Sequence, residues 1–252
     1  MMSEKTDLFS TAVVEIEKRE YNHPIIIGGF AGSTMAGLLS VGYLIEQLGM
    51  HQVAHVRSHY IPPVAVFVGN KLRHPFRIYS NKKGDTLAII SEVPISDLGL
   101  YEISASIIDW ARSISASEII ILDGIPVDVI METRKSYCIA ESEELENCKK
   151  NGIPGAQSAI ITGIGGSLLN ECLVKGFKGS SLITPCSVDI PDPGSALSLI
   201  QAITLKTGIK VDTKLLQESV NKMHEEMSAV IKQYADAQAK KTGKPSEESM
   251  YR

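Results

Sequence analysis

Short runs of consecutive apolar residues recur along the chain, each closed by a glycine turn and followed by a stretch whose apolar positions repeat every three or four residues. Unbroken β-branched runs of this length read as buried strands, and the longer periodic stretches as helices. Ile25 to Ile27 passes through Gly28-Gly29-Phe30-Ala31-Gly32 into a predicted helix ending near Gly49, where a C-terminal glycine belongs. The same order predicts a strand over Glu118 to Leu122. It also predicts one over Ala159 to Thr162, leading through Gly163-Ile164-Gly165-Gly166 into a helix ending at Gly176, and one over Ser181 to Thr184. Between the first two units, Gln52 to Val56, Val64 to Val68, Phe76 to Tyr79 and Thr86 to Ile90 read as strands joined by short turns, with an edge strand expected around Ala12 to Ile16. The expected fold is α/β, a mixed and mostly parallel sheet flanked by helices.

The C-terminal third adds two signals. Pro191-Asp192-Pro193-Gly194 opens a helix, with Asp192 as its N-cap and Pro193 at its first position, a structural role that outweighs a ligand loop. A last helix starts near Asp212, and Leu216, Val220, Met223, Met227, Val230 and Tyr234 form an apolar seam at alternating four- and three-residue steps. Such a seam docks on the parent fold or on a neighbouring subunit, and six positions do not distinguish the two. Residues 240–249 carry no apolar side chain larger than a proline ring, so they cannot repay their ordering entropy and are expected to be mobile. The expected division is one α/β domain over residues 1–239 and a flexible tail over 240–252.

Composition narrows the function classes. With 252 residues, 44% of them hydrophobic, the chain can bury a large single core. A net charge of −4, with charged residues spread evenly, lacks the footprint of a nucleic-acid binder. Cys138, Cys148, Cys172 and Cys186 contain no Cys-x-x-Cys pair, and Met1 to Ser10 has no signal-peptide pattern, so a cytoplasmic protein is expected. Tyr21 to Ile45 is uncharged and about long enough to span a bilayer, but Pro24, Gly28, Gly29, Gly32, Gly37 and Gly42 interrupt it, and no membrane partner is expected.

Candidate chemistry is sparse. The turn from Gly28 to Thr34 could offer backbone N–H groups and a helix N-terminus to an anion through Gly28, Gly32, Ser33 and Thr34. It lacks the lysine and spacing of a phosphate loop, and close strand-to-helix packing is the stronger reading of its glycines. Gly163-Ile164-Gly165-Gly166 lacks the final glycine of a dinucleotide fingerprint, since Leu168 stands there. His51, His55 and His59 are better placed on a strand face than around a metal, at separations one ion cannot bridge. Asp123, Asp128, Asp189 and Asp192 lie beside prolines or glycines, where turn and capping chemistry accounts for them. No serine elbow or cysteine motif supplies a nucleophile. No catalytic set, metal or cofactor emerges.

Several segments together resemble the proteasome assembly chaperone 2 family, particularly its archaeal branch. They are Leu48-Gly49 before a strand, Tyr60-Ile61-Pro62-Pro63-Val64-Ala65-Val66, Lys71-Leu72-Arg73-His74-Pro75 before Phe76-Arg77-Ile78-Tyr79, Gly163 to Leu169, and the helix start from Pro191 to Ala196. The resemblance covers about residues 20–235, and its strength is the shared order of these segments. It implies a fold like that of purine nucleoside phosphorylases, a self-associating subunit, and an ATP-independent role around the core proteasome alpha ring; a homo-oligomer larger than a dimer is expected because a weak terminal motif gains useful affinity chiefly through several copies. It also implies a role for the terminus. Met250-Tyr251-Arg252 fits the pattern of a hydrophobic residue, a tyrosine and any last residue (HbYX) with which some proteasome activators and chaperones end. The competing expectation is an enzyme related to nucleoside phosphorylases or hydrolases, with the Gly28 to Thr34 turn as an anion cradle and Asp123 as its carboxylate.

Overall fold

The computed structural model describes residues 10–68, 70–128, 134–187, 192–218 and 220–221. In chain order the elements are β1 (Ala12–Glu15), β2 (Ile25–Phe30), α1 (Ala36–Gln47), β3 (His51–Arg57), β4 (Val66–Val68), β5 (Lys71–Arg73), β6 (Phe76–Ser80) and β7 (Thr86–Ser91). A 3₁₀ turn at Asp97–Gly99 leads to α2 (Leu100–Ser113), β8 (Glu118–Val127), β9 (Tyr137–Ala140), α3 (Ser142–Lys150), α4 (Gly163–Lys175), β10 (Gly179–Ser187) and α5 (Pro193–Thr207). Eight strands form one sheet in the order β1-β3-β6-β7-β2-β8-β10-β9, while β4 and β5 make a separate hairpin.

The sheet is mixed in an ordered way. Its centre, β7-β2-β8-β10, is parallel, and both margins are antiparallel. Parallel strands buried on both faces need apolar residues on both, and Ile25 to Ile27 and Ile119 to Leu122 supply them without alternation. Ile26, Ile119 and Ile121 point into one core with α2 and α4, including Ile103, Ile107 and Leu168. Ile27, Ile120 and Leu122 point into the other with α1 and α5, including Val41, Leu44, Leu199 and Ile203. The result is three layers, helix-sheet-helix.

The predicted strands at Ile25 to Ile27, Glu118 to Leu122 and Ser181 to Thr184 lie within β2, β8 and β10, and the expected edge strand is β1. The first predicted helix end has Gly49 at φ 56°, and α4 ends on Gly176 at φ 58°, both in the left-handed region glycine tolerates. One expectation fails. Residues 159–162 are not a strand but an open approach to α4, with Ile160 93% exposed. The ladder position beside β10 is already taken by β9, which pairs antiparallel through Ser180 to Ile183, so this short apolar run has no partner strand. Among the described residues no helix is long and apolar enough to cross a membrane.

Asp192 caps α5 as expected. Its carboxylate accepts from the Ser195 N–H and the Ser187 N–H, each at 3.2 Å, and pairs with Arg134 at 2.7 Å with both side chains buried. A second network lies at the opposite end of β10: Lys206 of α5 pairs with Glu118 at 2.9 Å and with Glu144 of α3, and Glu144 also meets Lys178 at 2.7 Å. Of the predicted C-terminal helix, 214–218 and 220–221 are helical, with Leu216 packed against the α1 and α5 core and Val220 buried. The first two seam positions thus dock on the parent fold. Met223, Met227, Val230, Tyr234 and residues 240–252 lie outside the described residues.

Two glycines of α1 give a clean stability test. A methyl group at Gly37 would overlap the backbone carbonyl of Leu122, whereas one at Gly42 would meet nothing within 4 Å. Gly37→Ala is expected to lower unfolding stability by about 2 kcal/mol or more. Gly42→Ala is expected to leave it unchanged or raise it by up to ~1 kcal/mol. Paired denaturant titrations check the contrast.

Candidate functional site

Ligands of open α/β sheets bind outside the carboxyl ends of parallel strands, so the sequence-nominated turn falls where a site would be sought. The chain leaves β2 at Phe30, runs through Ala31 to Met35 and enters α1 beside the end of β8. A crevice there is lined by Phe30, Gly32, Ser33, Asp123, Thr162 and Gly163. Gly32 is exposed, and a Cβ added to it would meet nothing, so its backbone is open to the crevice; Ser33 beside it is exposed. Gly28 and Thr34 are not part of this opening. Gly28 is buried inside β2 against Ile121, and Thr34 is buried beneath Gly124 of β8, with its Oγ1 lacking a hydrogen-bond partner.

Gly163 takes a left-handed φ with open space beside it, whereas Gly29, Gly165 and Gly166 serve packing. A side chain at Gly29 would overlap the Gly37 carbonyl, and one at Gly166 would overlap the Ile161 carbonyl. One at Gly165 would press on Ile121 at 3.0 Å. The glycines bring α1 and α4 down onto the strands from opposite faces. What remains between them is a cavity of about 70 Å³, well below the ~300–1,000 Å³ of pockets that enclose a small organic ligand.

Asp123 stands in this crevice, its Oδ1 accepting the Gly124 N–H at 2.7 Å. Burial pushes its carboxyl above the usual carboxylate range, and the Gly124 hydrogen bond opposes that shift. An ionised Asp123 would repel an anion held by Gly32 and Ser33. Asp192 is committed to capping, Asp128 is exposed, and Asp189 lies outside the described residues.

The strand reading holds for His51 and His55 but not for His59. His51 and His55 are four residues apart on β3, His59 lies beyond its end, and no group of three His, Cys, Asp or Glu side chains among the described residues could hold a metal. His51 meets Glu17 at 3.2 Å. His55 stacks face to face on His74, ring centroids 3.7 Å apart.

Two exposed apolar surfaces had no sequence signal beyond single hydrophobic residues. The β4-β5 hairpin presents the register partners Phe67 and Leu72, 66% and 76% exposed. On the helical layer of α2 and α4, Leu98 in the preceding 3₁₀ turn, Tyr101 on α2 and Leu173 and Val174 on α4 are exposed, while Lys175 ties the two helices by pairing with Asp109 at 2.6 Å. Apolar groups gathered on such surfaces mark protein contacts more often than solitary exposed residues do.

Comparison with known proteins agrees with this architecture. A family model described as the PAC2 family matches residues 26–231. A Thermoplasma acidophilum protein of unknown function shares 51% identity and a TM-score of 0.75, covering 88% of this chain and 91% of that one. Pyrococcus furiosus PbaA, an archaeal homolog of proteasome-assembly chaperone, is 23% identical with a TM-score of 0.79, covering 92% and 95%. Pyrococcus furiosus PbaB, an archaeal proteasome activator, is 22% identical with a TM-score of 0.77, covering 88% and 98%.

The histidine stack predicts a pH dependence. Burial lowers the His55 pKa below the usual 6.5, with His74 and Arg57 adding to the shift. Because the unfolded chain binds this proton more readily, the stability contribution is full above about pH 6.5 and is lost as pH falls toward the depressed folded value. Thermal unfolding followed from pH 7.5 to 5 should show this loss in the wild type and a smaller one in His55→Gln. An identical pH profile for the two would remove the stack as its source.

Proposed function

The chain belongs to the PAC2 family, and from that premise we propose that it is a non-enzymatic, ATP-independent proteasome-binding protein, an assembly-chaperone-like factor or activator. It works in the cytoplasm and docks its C-terminal Met250-Tyr251-Arg252 into the alpha ring of the core proteasome. The observation that carries this reading is family membership over most of the chain, joined to a terminus of the HbYX pattern. The proteasome-related descriptions of PbaA and PbaB support it.

The proposed contact has a simple chemistry. Met250 fills an apolar pocket with a flexible thioether, and Tyr251 supplies an aromatic face with a hydroxyl. The free carboxylate of Arg252 pairs with a pocket cation. A single tail that must become ordered binds weakly, so several copies on one particle are needed for useful affinity. A homo-oligomer larger than a dimer follows, and the exposed apolar pairs at Phe67 and Leu72 and at Leu173 and Val174 support self-association. The enzyme reading, with Gly28, Gly32, Ser33 and Thr34 around an anion, is disfavoured by the small crevice and by the burial of Gly28 and Thr34 away from it.

Deleting Met250 to Arg252, changing Tyr251→Ala, or adding one glycine after Arg252 should each weaken capture of purified proteasome rings by about tenfold or more, with the oligomer unchanged. Capture that survives all three places the contact elsewhere. Light scattering on the intact chain should give a mass above that of a dimer. A monomer at micromolar concentration would remove the avidity on which the docking depends.

A further inference from the structure

Two thiols that proteasome binding leaves unused lie against each other at one margin of the sheet. Cys138 sits within the edge strand β9 and Cys148 near the end of α3, both fully buried, with their sulfurs 2.6 Å apart. Unbonded heavy atoms rest at ~3.5–4.0 Å, and an S–S bond is about 2.03–2.05 Å long. The separation is nearer a bond than a contact. Backbone hydrogen bonds hold both residues in place: the Cys138 N–H donates to the Pro154 carbonyl at 2.8 Å, the Ala156 N–H donates to the Cys138 carbonyl at 3.0 Å, and the Ile153 N–H donates to the Cys148 carbonyl at 2.9 Å.

The two sulfurs are also chemically unequal. The hydrogen bond between the two sulfurs pulls the Cys138 thiol below its usual range, burial opposes this, and the Lys206 ammonium adds to the lowering. The same pairing and burial push Cys148 up. Of the two, Cys138 is the one drawn toward the thiolate. The remaining cysteines differ: Cys172 is packed against Gly179 and pushed up to about 12 by burial, and Cys186 lies beside Ser195.

We propose that Cys138 and Cys148 form a redox-active pair that a peroxide converts to a reversible disulfide, tying edge strand β9 to α3. The Cys138 thiolate attacks one peroxide oxygen and the O–O bond breaks, giving Cys138 sulfenic acid and a hydroxide that takes up the proton Cys138 released. The Cys148 sulfur then attacks the Cys138 sulfur. The S–S bond forms as the S–O bond breaks, and the hydroxyl leaves as water with the Cys148 proton. Two thiols and one hydrogen peroxide become one disulfide and two waters, the sulfurs losing the two electrons that the peroxide gains. A dithiol reverses the change by exchange. Because β9 covers the β10 edge, the bond secures the strand that shields the parallel centre from edge-to-edge pairing.

The test uses the full chain, reduced and then exposed or not to hydrogen peroxide, unfolded, alkylated and digested with trypsin. Ser136 to Lys149 contains both cysteines and no internal Lys or Arg, so one peptide reports the pair. After peroxide it should be unlabelled and lighter than the free dithiol by two hydrogens, with both labels restored by dithiothreitol and the Cys172 and Cys186 peptides labelled throughout. The oxidised chain should melt roughly 5–10 °C above the reduced one, and Cys148→Ser should abolish that shift. Two labels on the Ser136 to Lys149 peptide after peroxide, sulfinic acid at Cys138 without a bond, or a link to another cysteine would each overturn the proposal. Should Cys148→Ser fail to fold, the wild-type peptide mass decides alone.

Discussion

Where α1 crosses the carboxyl ends of β2 and β8, no side chain separates helix from sheet. The Gly37 backbone rests on the Leu122 carbonyl, and Gly29 in β2 lies against the Gly37 carbonyl. Glycine in a helix costs about 1 kcal/mol against alanine, and that cost is offset only because the close approach lets Val41 and Leu44 reach the sheet core. The position of α1 then determines its surroundings. Thr34 is trapped beneath Gly124, the turn from Ala31 to Met35 is drawn tight, and α5 packs beside α1 on the same face of the sheet.

The same approach explains why a ligand-like turn encloses so little space. Glycine turns at both Gly28 to Gly32 and Gly163 to Gly166 lead into helices, as they would around a phosphate. Here their freedom from side chains is used to bring backbone against backbone, at Gly29 with Gly37 and at Gly166 with Ile161. The crevice left between them holds a carboxylate whose burial favours its neutral form. By contrast, the outer surfaces expose apolar groups on the hairpin and along α2 and α4. A fold with a tight interior crevice and apolar outer patches suits a protein that works through protein contacts.

Much of this was legible in the residues themselves. Isoleucine runs without alternation determined that the central strands are buried on both faces, glycines past helix ends determined where α1 and α4 stop, and Asp192-Pro193 determined where α5 begins. These features are local: a left-handed φ, a cap and a two-sided burial pattern each act within a few residues. The partnering of distant segments was decided only by the tertiary structure. Ala159 to Thr162 has the composition of a strand but is left outside the sheet because β9 fills the place beside β10. Gly28 and Thr34 sit in one short turn with Gly32 and Ser33, yet burial by β8 removes the first two from the crevice. The Arg134 pair with Asp192, the Lys206 network and the meeting of Cys138 with Cys148 join residues whose spacing in the chain carries no recurring pattern. Hydrophobic periodicity reports which face of an element is buried, whereas the partner it meets depends on how all the elements share one core.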